Sequence, residues 1–367
     1  MRRFLQLILL RPVTWMANKF SSSPQRDKVH LALDNLLEEI TSNPGKHGEP
    51  ISFDPASDKW IVFSDQHKGA KDGADDFMGC EKNYLAALDH YYQQGFRFIS
   101  LGDNEELWEN TVAAVRKKNQ ASFKKEKLFL HRNSFFKIFG NHDLFWGNDP
   151  LAPWQLKRIF GTELRILEGL ILHTRVNDQE INIFLTHGHQ GDAQSDGNWF
   201  SKWFVSNVWG PLQSYLRINP NTPACNEALK TAHNSIMYEW SAAKKSLILI
   251  TGHTHQPVFE SLTHLERLLK QLALARERAD ATEEKALLHE IARRRTRGHQ
   301  DSYESLEKLR PSYFNTGCCC FSDGDITGIE IADGMIRLIK WTSQGNTSVR
   351  MVLEQRSLED LASQLSA

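Results

Sequence analysis

Five short clusters of Asp, Asn and His side chains are the chemically suggestive feature of this sequence of 367 residues. Each cluster directly follows a short apolar run. Carboxylate, amide and imidazole groups together form a mixed oxygen and nitrogen ligand set, which divalent first-row metals accept. The residue types therefore indicate a metal site, built from Asp65-Gln66-His67, Gly102-Asp103, Gly140-Asn141-His142-Asp143, Thr186-His187-Gly188-His189 and Gly252-His253-Thr254-His255.

The clusters offer seven candidate ligands, which are too many for one tetrahedral zinc ion. Seven ligands suit two ions that share a carboxylate and keep open positions for water and substrate. Two neighbouring ions stabilise both the attacking and the leaving oxygen of an in-line displacement, so the set predicts hydrolysis of a phosphate ester or anhydride. The candidate ligands are Asp65, His67, Asp103, Asn141, His187, His253 and His255. His189 is left out of this set.

The spacing of the paired ligands, and the apolar runs that precede the clusters, predict where the ligand side chains lie in the fold. Asp65 and His67, like His253 and His255, are two residues apart, which on an extended chain places both side chains on one side. Strands that alternate with helices predict an α/β layer fold, in which polar groups at the carboxyl ends of strands converge on one crevice. The predicted strands are 60–63, 96–101, 135–139, 181–185 and 247–250, and predicted helices span 27–40 and 80–94.

Each cluster taken alone also has a purely structural interpretation. A single histidine at a strand end is more often a structural residue than a ligand. Asp103 could cap the following helix, and Asn141 could occupy a turn. A structural explanation would have to account for all five clusters at the ends of five strands, which favours a functional site.

These motifs, in this order, resemble those of the calcineurin-like metallophosphoesterase superfamily over about residues 59–341. The resemblance implies a four-layer α/β/β/α sandwich with a dinuclear centre, in which a hydroxide between the metals attacks phosphorus. It favours Mn²⁺ over Fe or Zn. It assigns Asp65, His67 and His255 to one metal, Asn141, His187 and His253 to the other, and Asp103 to both.

The same resemblance gives His142 and Asp143 catalytic roles. His142 follows a ligand but lies outside the seven, so it is the candidate that contacts the phosphate or protonates the leaving oxygen. Asp143 would orient that imidazole and stabilise its charge. Asn141 and His142 are the residues expected to touch the substrate.

The segment Gly102-Asp103-Asn-Glu-Glu106-Leu-Trp108 resembles one in bacterial UDP-2,3-diacylglucosamine diphosphatases, which also carry a hydrophobic helical lid. This implies a lipid-linked UDP-sugar diphosphate as one substrate class. The chain departs from that group at His142, where those enzymes have Arg, and at His187-Gly188-His189, where they have His-Gly-Asp. Two further functions are compatible with these motifs, a Ser/Thr phosphoprotein phosphatase and a non-catalytic scaffold of the same fold.

The composition along the chain predicts a phosphoesterase domain over residues 50–345, with helical insertions at about 195–245 and 261–310. An apolar-basic segment and a helix precede it over 1–45, and a C-terminal tail follows over 346–367. The first insertion is rich in Trp and Phe, typical either of a packed subdomain or dimer face or of a lid for a lipid-like substrate. The second has the composition of an antiparallel helical pair. Asp333-Gly334 predicts a hairpin turn.

The apolar run from Phe4 to Leu10 is too short to span a bilayer. With Arg2, Arg3 and Arg11 around it, the run has the character of an interfacial helix, although a first helix packed on the domain is equally simple. The expected location is therefore the cytoplasm, with peripheral contact to the inner membrane surface as an alternative, and the expected partner is a phosphorylated small molecule or lipid-like substrate.

The net charge of −1 offers no general attraction for nucleic acid, and the short basic run at Arg293–Arg295 is a weak signal. Five cysteines without regular spacing do not form a disulfide framework, which favours a reducing compartment. The run Cys318–Cys320 is predicted to be small buried residues in a strand. The oligomeric state is not predicted.

Overall fold

Two mixed β-sheets form the centre of the computed structural model, which describes residues 24–73, 75–191, 227–263 and 310–366 and scattered positions between 268 and 288. With strands numbered in chain order, sheet A has the spatial order β1 (Gly48–Ser52), β6 (Gly169–Val176), β7 (Gln179–Thr186), β8 (Leu247–Thr251), β11 (Tyr313–Asn315), β9 (Val258–Phe259) and β10 (Leu262–Thr263). Sheet B has the order β14 (Thr347–Ser357), β13 (Met335–Gln344), β12 (Ile326–Ala332), β2 (Trp60–Phe63), β3 (Arg97–Leu101), β4 (Phe135–Ile138) and β5 (Ile166–Leu167).

Helices cover the outer face of each sheet. Sheet A is covered by α1 (Arg26–Ser42) and α7 (Glu227–Ala242), and sheet B by α2 (Glu81–Gln93), α4 (Gln120–His131) and α6 (Ala152–Phe160). The shorter helices are α3 (Val112–Lys118), α5 (Phe145–Asn148) and α8 (Leu358–Ser366), with a 3-10 turn at Asp76–Gly79. The predicted four-layer α/β/β/α arrangement is confirmed.

Strands β2 and β8 are short and almost wholly apolar because both of their faces are buried. In β2, Trp60 and Val62 point into the core between the sheets, whereas Ile61 and Phe63 pack under the helices of sheet B. All four side chains are fully buried. A four-residue apolar run is therefore a complete strand, and polar residues begin where the strand leaves the sheet.

Parallel pairing brings the ends of the site-bearing strands to one edge. In sheet B, β3 pairs in parallel with both β2 and β4, and in sheet A, β7 pairs in parallel with β8. The carboxyl ends of these five strands are the positions of the five polar clusters. The five predicted strands are confirmed with ends shifted by at most two residues, as are the helices predicted at 27–40 and 80–94.

The predicted C-terminal tail is wrong. Residues 347–357 form β14, paired along its length with β13, and the next residues form α8. Leu358, Leu361 and Leu365 of α8 are buried in the core between the sheets. The amphipathic spacing of these leucines is the signal for a packed helix, and it extends the domain to the end of the described chain.

Two further boundaries differ from the prediction. Helix α1, assigned to a separate N-terminal segment, buries Val29, Leu33 and Ile40 against sheet A. Helix α7, assigned to an insertion, packs beside it through Trp240. Both are therefore part of the outer layer of sheet A. The aromatic part of the first insertion, the N-terminal apolar run and most of the second insertion lie outside the described residues.

The cysteine run is buried, as predicted, but it is not a strand. Cys318–Cys320 form a loop between β11 and β12, and none of the four described cysteines forms a disulfide. Among the described residues, the helices are all too short or too polar to cross a membrane.

Candidate metal centre

The seven predicted ligands come together at the edge where the two sheets meet. Sheet B contributes the residues that follow β2, β3 and β4, and sheet A those that follow β7 and β8. All but His255 are buried, and His255 is partly buried. The site therefore draws on five strands and both sheets.

One group of ligands surrounds His255. Its Nε2 lies 3.2 Å from Asp65 Oδ1 and 3.2 Å from Nε2 of His67. Nε2 of His67 lies 3.9 Å from the same Asp65 oxygen. One carboxylate and two imidazole nitrogens thus converge on a volume small enough for a single cation.

The second group surrounds the Asp103 carboxylate. Asp103 Oδ2 lies 3.2 Å from Nε2 of His187, and His253 places a ring nitrogen within 4.8 Å of both residues. The same Oδ2 is 3.7 Å from Nε2 of His67 in the first group. The Asp103 carboxylate therefore stands between the two groups.

Left-handed backbone positions the ligands. Asp65, His67, Asp103, His253 and His255 have φ between 49° and 69°. Positive φ is uncommon outside glycine and costs energy, and it clusters at functional sites. The paired ligands are thus not on extended chain, as the spacing argument assumed. Tight turns at the strand ends aim them at the centre instead.

Two glycines make room for the carboxylates. A Cβ on Gly140 would lie 2.3 Å from Asp103 Oδ1, and a Cβ on Gly252 would lie 2.4 Å from Asp65 Oδ2. Neither distance is tolerable for a real side chain. The glycines that begin these two motifs are therefore required by close packing against the ligands.

The far ring nitrogens of three histidines are held from outside the site. Nδ1 of His67 donates to Glu106 Oε2 at 3.0 Å, and Nδ1 of His187 donates to the carbonyl of Leu101 at 3.0 Å. Nδ1 of His255 lies 3.6 Å from the sulfur of Cys320. Such contacts fix the ring and leave Nε2 as the ligand atom.

Unpartnered atoms test whether metals fit this site. Asn141 Oδ1 is buried without a hydrogen-bond partner among the described residues, and the buried His187 Nε2 lies 3.2 Å from Asp103 Oδ2 without a well-formed hydrogen bond to it. Buried polar atoms are normally satisfied, so such exceptions require an explanation. A divalent cation would satisfy both atoms, and the donor set of carboxylates, an amide oxygen and imidazoles fits two such ions.

His142 lies beside the ligands and is held by Glu106. Its Nδ1 donates to Glu106 Oε2 at 2.6 Å, and its ring stacks on Trp108 with centroids 4.2 Å apart. Burial lowers the pKa of His142, but the carboxylates of Glu106 and Asp103 outweigh it and raise the pKa to about 9. The imidazole is therefore prepared to carry a proton.

The predicted role of Asp143 is wrong. Its Oδ1 accepts from the backbone N–H of Gly140 at 2.6 Å, and its Oδ2 accepts from the backbone and side-chain nitrogens of Asn104 at 2.9 and 3.1 Å. It ties together the turns after β3 and β4 and does not reach the ring of His142. Adjacency in the sequence suggested the pair, but the turn directs the two side chains apart.

The carboxylates and imidazoles of the site shift one another's pKa values. Burial raises the pKa of Asp103, but His187 and other imidazoles outweigh it and hold that pKa well below its usual range. Burial lowers the pKa of His187, yet Asp103 and Asp65 raise it to about 9. Burial lowers the pKa of His253 well below its usual range, and the neighbouring His233 and His187 lower it further. A neutral imidazole is the form that binds metal.

Sequence reasoning missed two supporting residues. Glu106 stands in the Gly102-Asp103-x-x-Glu106 motif, and its spacing from Asp103 was the available signal. Nothing in the sequence placed Cys320 beside His255. His189 is buried next to His187, with ring centroids 5.4 Å apart, and burial lowers its pKa to about 3.

Comparison with known proteins gave distant structural similarities alone. No protein-family model matches the chain, and no curated protein matches it in sequence. The chain is similar in structure to Vacuolar Protein Sorting 29 from Cryptosporidium parvum (12% identity, 82% of this chain and 98% of that chain covered, TM-score 0.31). It is also similar to a single mutant of Vps29 from Entamoeba histolytica (11%, 81% and 99%, TM-score 0.27) and to a dimetal phosphatase from Danio rerio (9%, 82% and 100%, TM-score 0.33).

Proposed function

We propose that this protein is a phosphohydrolase that uses two divalent metal ions to hydrolyse a phosphate ester or diphosphate. The observation that carries the proposal is the Asp103 carboxylate, whose Oδ2 lies 3.2 Å from Nε2 of His187 and 3.7 Å from Nε2 of His67. A carboxylate between two sets of imidazoles is the arrangement that two ions can share.

The residues divide into two ligand sets. Asp65, His67 and His255 would hold one ion, Asn141, His187 and His253 the other, and Asp103 both, with Mn²⁺ as the expected metal. When bound, two such ions polarise the phosphoryl oxygens and lower the pKa of a coordinated water. The contacts among Asp65, His67 and His255 and among Asp103, His187 and His253 support this division.

His142 would supply the proton for the leaving oxygen. Because Glu106 holds Nδ1 of this ring, Nε2 is the nitrogen free to donate. General acid catalysis of this kind contributes about 10²- to 10⁴-fold to a rate. Asn141 and His142, which are neighbours on the turn after β4, would contact the phosphate.

The test is metal-dependent turnover in Asp103→Asn. Metal-stripped protein is supplied with Mn²⁺, Zn²⁺, Fe²⁺ or Mg²⁺ and assayed with p-nitrophenyl phosphate and bis-p-nitrophenyl phosphate, and bound metal is counted. We expect two ions per parent chain. The variant should bind less metal. Its turnover should fall by more than the roughly 10- to 100-fold that is typical when a residue supporting a metal ligand is changed.

Asp178→Asn is the matched control, since Asp178 is exposed and, like Asp103, has positive φ. It should keep both metal and turnover. Parent protein that binds no metal would refute the proposal. If the parent binds metal and yet hydrolyses neither ester nor any member of a panel of lipid-linked nucleotide diphosphates and phosphopeptides, that result would favour the non-catalytic scaffold. Turnover confined to one panel member would identify the substrate class.

A further inference from the structure

A cavity of about 310 Å³ opens beside His142, which forms part of its lining. Its size is at the lower end of small-molecule sites. The stacked ring of Trp108 forms one wall, and the indole N–H donates to the carbonyl of Asn141 at 2.6 Å. The cavity is lined by Leu107, Trp108, His142, Leu144, Phe145, Asn148, Asp149 and Pro150.

The lining combines five apolar or aromatic side chains with those of His142, Asn148 and Asp149, and no Lys or Arg is among the described residues that form it. Its one acid, Asp149, accepts from the backbone N–H of Leu151 at 2.8 Å and adds negative charge. The only cationic group in the lining is His142, whose proton goes to the leaving oxygen, so an anion in this cavity would meet the Asp149 carboxylate without a lysine or arginine to offset it. The cavity therefore favours a neutral occupant, and Trp108 and Phe145 offer it aromatic contact.

The position of the cavity identifies that occupant. In the proposed reaction His142 gives its proton to the leaving oxygen, so the group attached to that oxygen must lie next to His142. The cavity adjoins His142 directly. An apolar cavity of roughly 150 Å³ already accommodates benzene, so this one has room for a substituted ring.

We propose that this cavity is the leaving-group subsite and that it selects phosphate esters of neutral, apolar or aromatic alcohols. The inference rests on the proposed function and narrows it, because a leaving group that is itself a phosphate or nucleotide would meet the carboxylate of Asp149 and no lysine or arginine. Phe145 is a specificity-determining residue in this subsite. Water adds to phosphorus, the P–O bond to the alcohol breaks, and the alkoxide oxygen takes the proton from His142.

The test compares phosphate esters of phenol and of 2,2,2-trifluoroethanol. They are used as monoesters or as methyl diesters, whichever type the parent hydrolyses. Turnover is measured as release of the alcohol. The readout is the ratio of kcat/KM for the phenyl ester to that for the trifluoroethyl ester, in which differences in metal loading cancel. Phe145→Ala should lower the ratio about tenfold, in keeping with the loss of one apolar contact group. Phe145→Trp, which fills the cavity, should lower it as well.

Leu151→Ala is the matched control, because Leu151 is 60% exposed and does not line the cavity. It should leave the ratio unchanged. If both Phe145 variants keep the parental ratio while the parent turns over both esters, the subsite is refuted and the proposed function stands. If the parent hydrolyses diphosphates better than phenyl esters, the inference also fails. Absence of turnover on every ester and every diphosphate would instead refute the proposed function.

Discussion

One carboxylate oxygen, Glu106 Oε2, accepts hydrogen bonds from Nδ1 of both His67 and His142. His67 is a predicted ligand and His142 the predicted proton donor, so a single side chain orients a residue of each kind. The ring centroids of these two histidines lie 4.6 Å apart. Burial opposes the charge on Glu106, but His142 and His67 hold the pKa of this carboxyl at about 2.

Glu106→Gln keeps the size of the side chain and removes its charge. Without the carboxylate the pKa of His142 should fall from about 9, because burial is then less opposed. We expect kcat to fall about 10- to 100-fold, as for other residues that orient a ligand from outside. The alkaline limb of the profile of kcat/KM against pH should move to lower pH, and a profile that keeps its alkaline limb would contradict the assignment.

Glu109→Gln is a matched control for that change. Burial and the neighbouring Glu106 raise the pKa of Glu109 to about 8, so this carboxyl is largely protonated at neutral pH. Replacing it by an amide should change little, within about twofold in kcat at pH 7, because no charge is lost there.

At the scale of the elements, a buried network of charges supports the turns that carry the ligands. Lys68 Nζ lies 3.2 Å from Glu105 Oε1 and 2.6 Å from Glu126 Oε1 on α4. Lys137 Nζ on β4 lies 2.9 Å from Glu105 Oε2, to which the Trp146 indole of α5 donates at 2.7 Å. Because Lys68 follows His67 and Glu105 lies two residues after Asp103, the network joins the turns after β2 and β3.

Glu105→Gln should destabilise the fold by about 3 kcal/mol, since it leaves Lys137 buried without its carboxylate partner. Burial raises the pKa of Glu105, but Lys137 and Lys68 outweigh it and hold the pKa below 4.5. The carboxylate therefore stabilises the protein above pH 4.5, and that stability is lost as the pH falls through the lower pKa of the folded state. The difference in unfolding free energy between parent and variant, measured in urea, should be constant above pH 4.5 and shrink below it.

Glu330→Gln separates support of the site from support of the fold. Glu330 on β12 is buried and binds Arg350 at 2.7 Å, but it touches none of the turns that carry ligands. Both variants should lose stability, whereas only Glu105→Gln should also lower turnover at pH 7. Equal turnover in the two variants would show that the network supports the fold alone.

The elements also show what the sequence can and cannot predict. The strand that ends before Asp65 was predictable to the residue, because a doubly covered strand must be apolar and polarity returns where it ends. The pairing of His142 with Glu106 was not predictable from the sequence. It depends on the shape of the turn after β4, which is fixed when Asp143 accepts from the backbone N–H groups of Asn104 and Gly140. Side-chain direction in a left-handed turn is set by contacts distant in sequence.

At the scale of the whole molecule, the candidate centre joins the two sheets. The first ligand group draws Asp65 and His67 from sheet B and His255 from sheet A. The second joins Asp103 of sheet B to His187 of sheet A. Between the sheets lies an apolar core closed by α8, and polar contacts such as Ser64 Oγ to Thr316 Oγ1 at 2.6 Å also join the two sheets. Ions bound at this edge would add cross-links between the layers that the apolar core alone does not supply.

Metal removal should therefore destabilise both sheets together. A ligand that binds only the folded state adds about 2.7 kcal/mol at 100 times its Kd, which for a chain of this size raises Tm by a few degrees. We expect Mn²⁺ to raise Tm in the parent and not in Asp103→Asn, and to slow amide exchange in β3 of sheet B and β8 of sheet A alike. Each predicted ion has ligands from both layers. Slower exchange confined to one sheet would therefore mean that the metal is held by that sheet alone and that the proposed division of ligands is wrong.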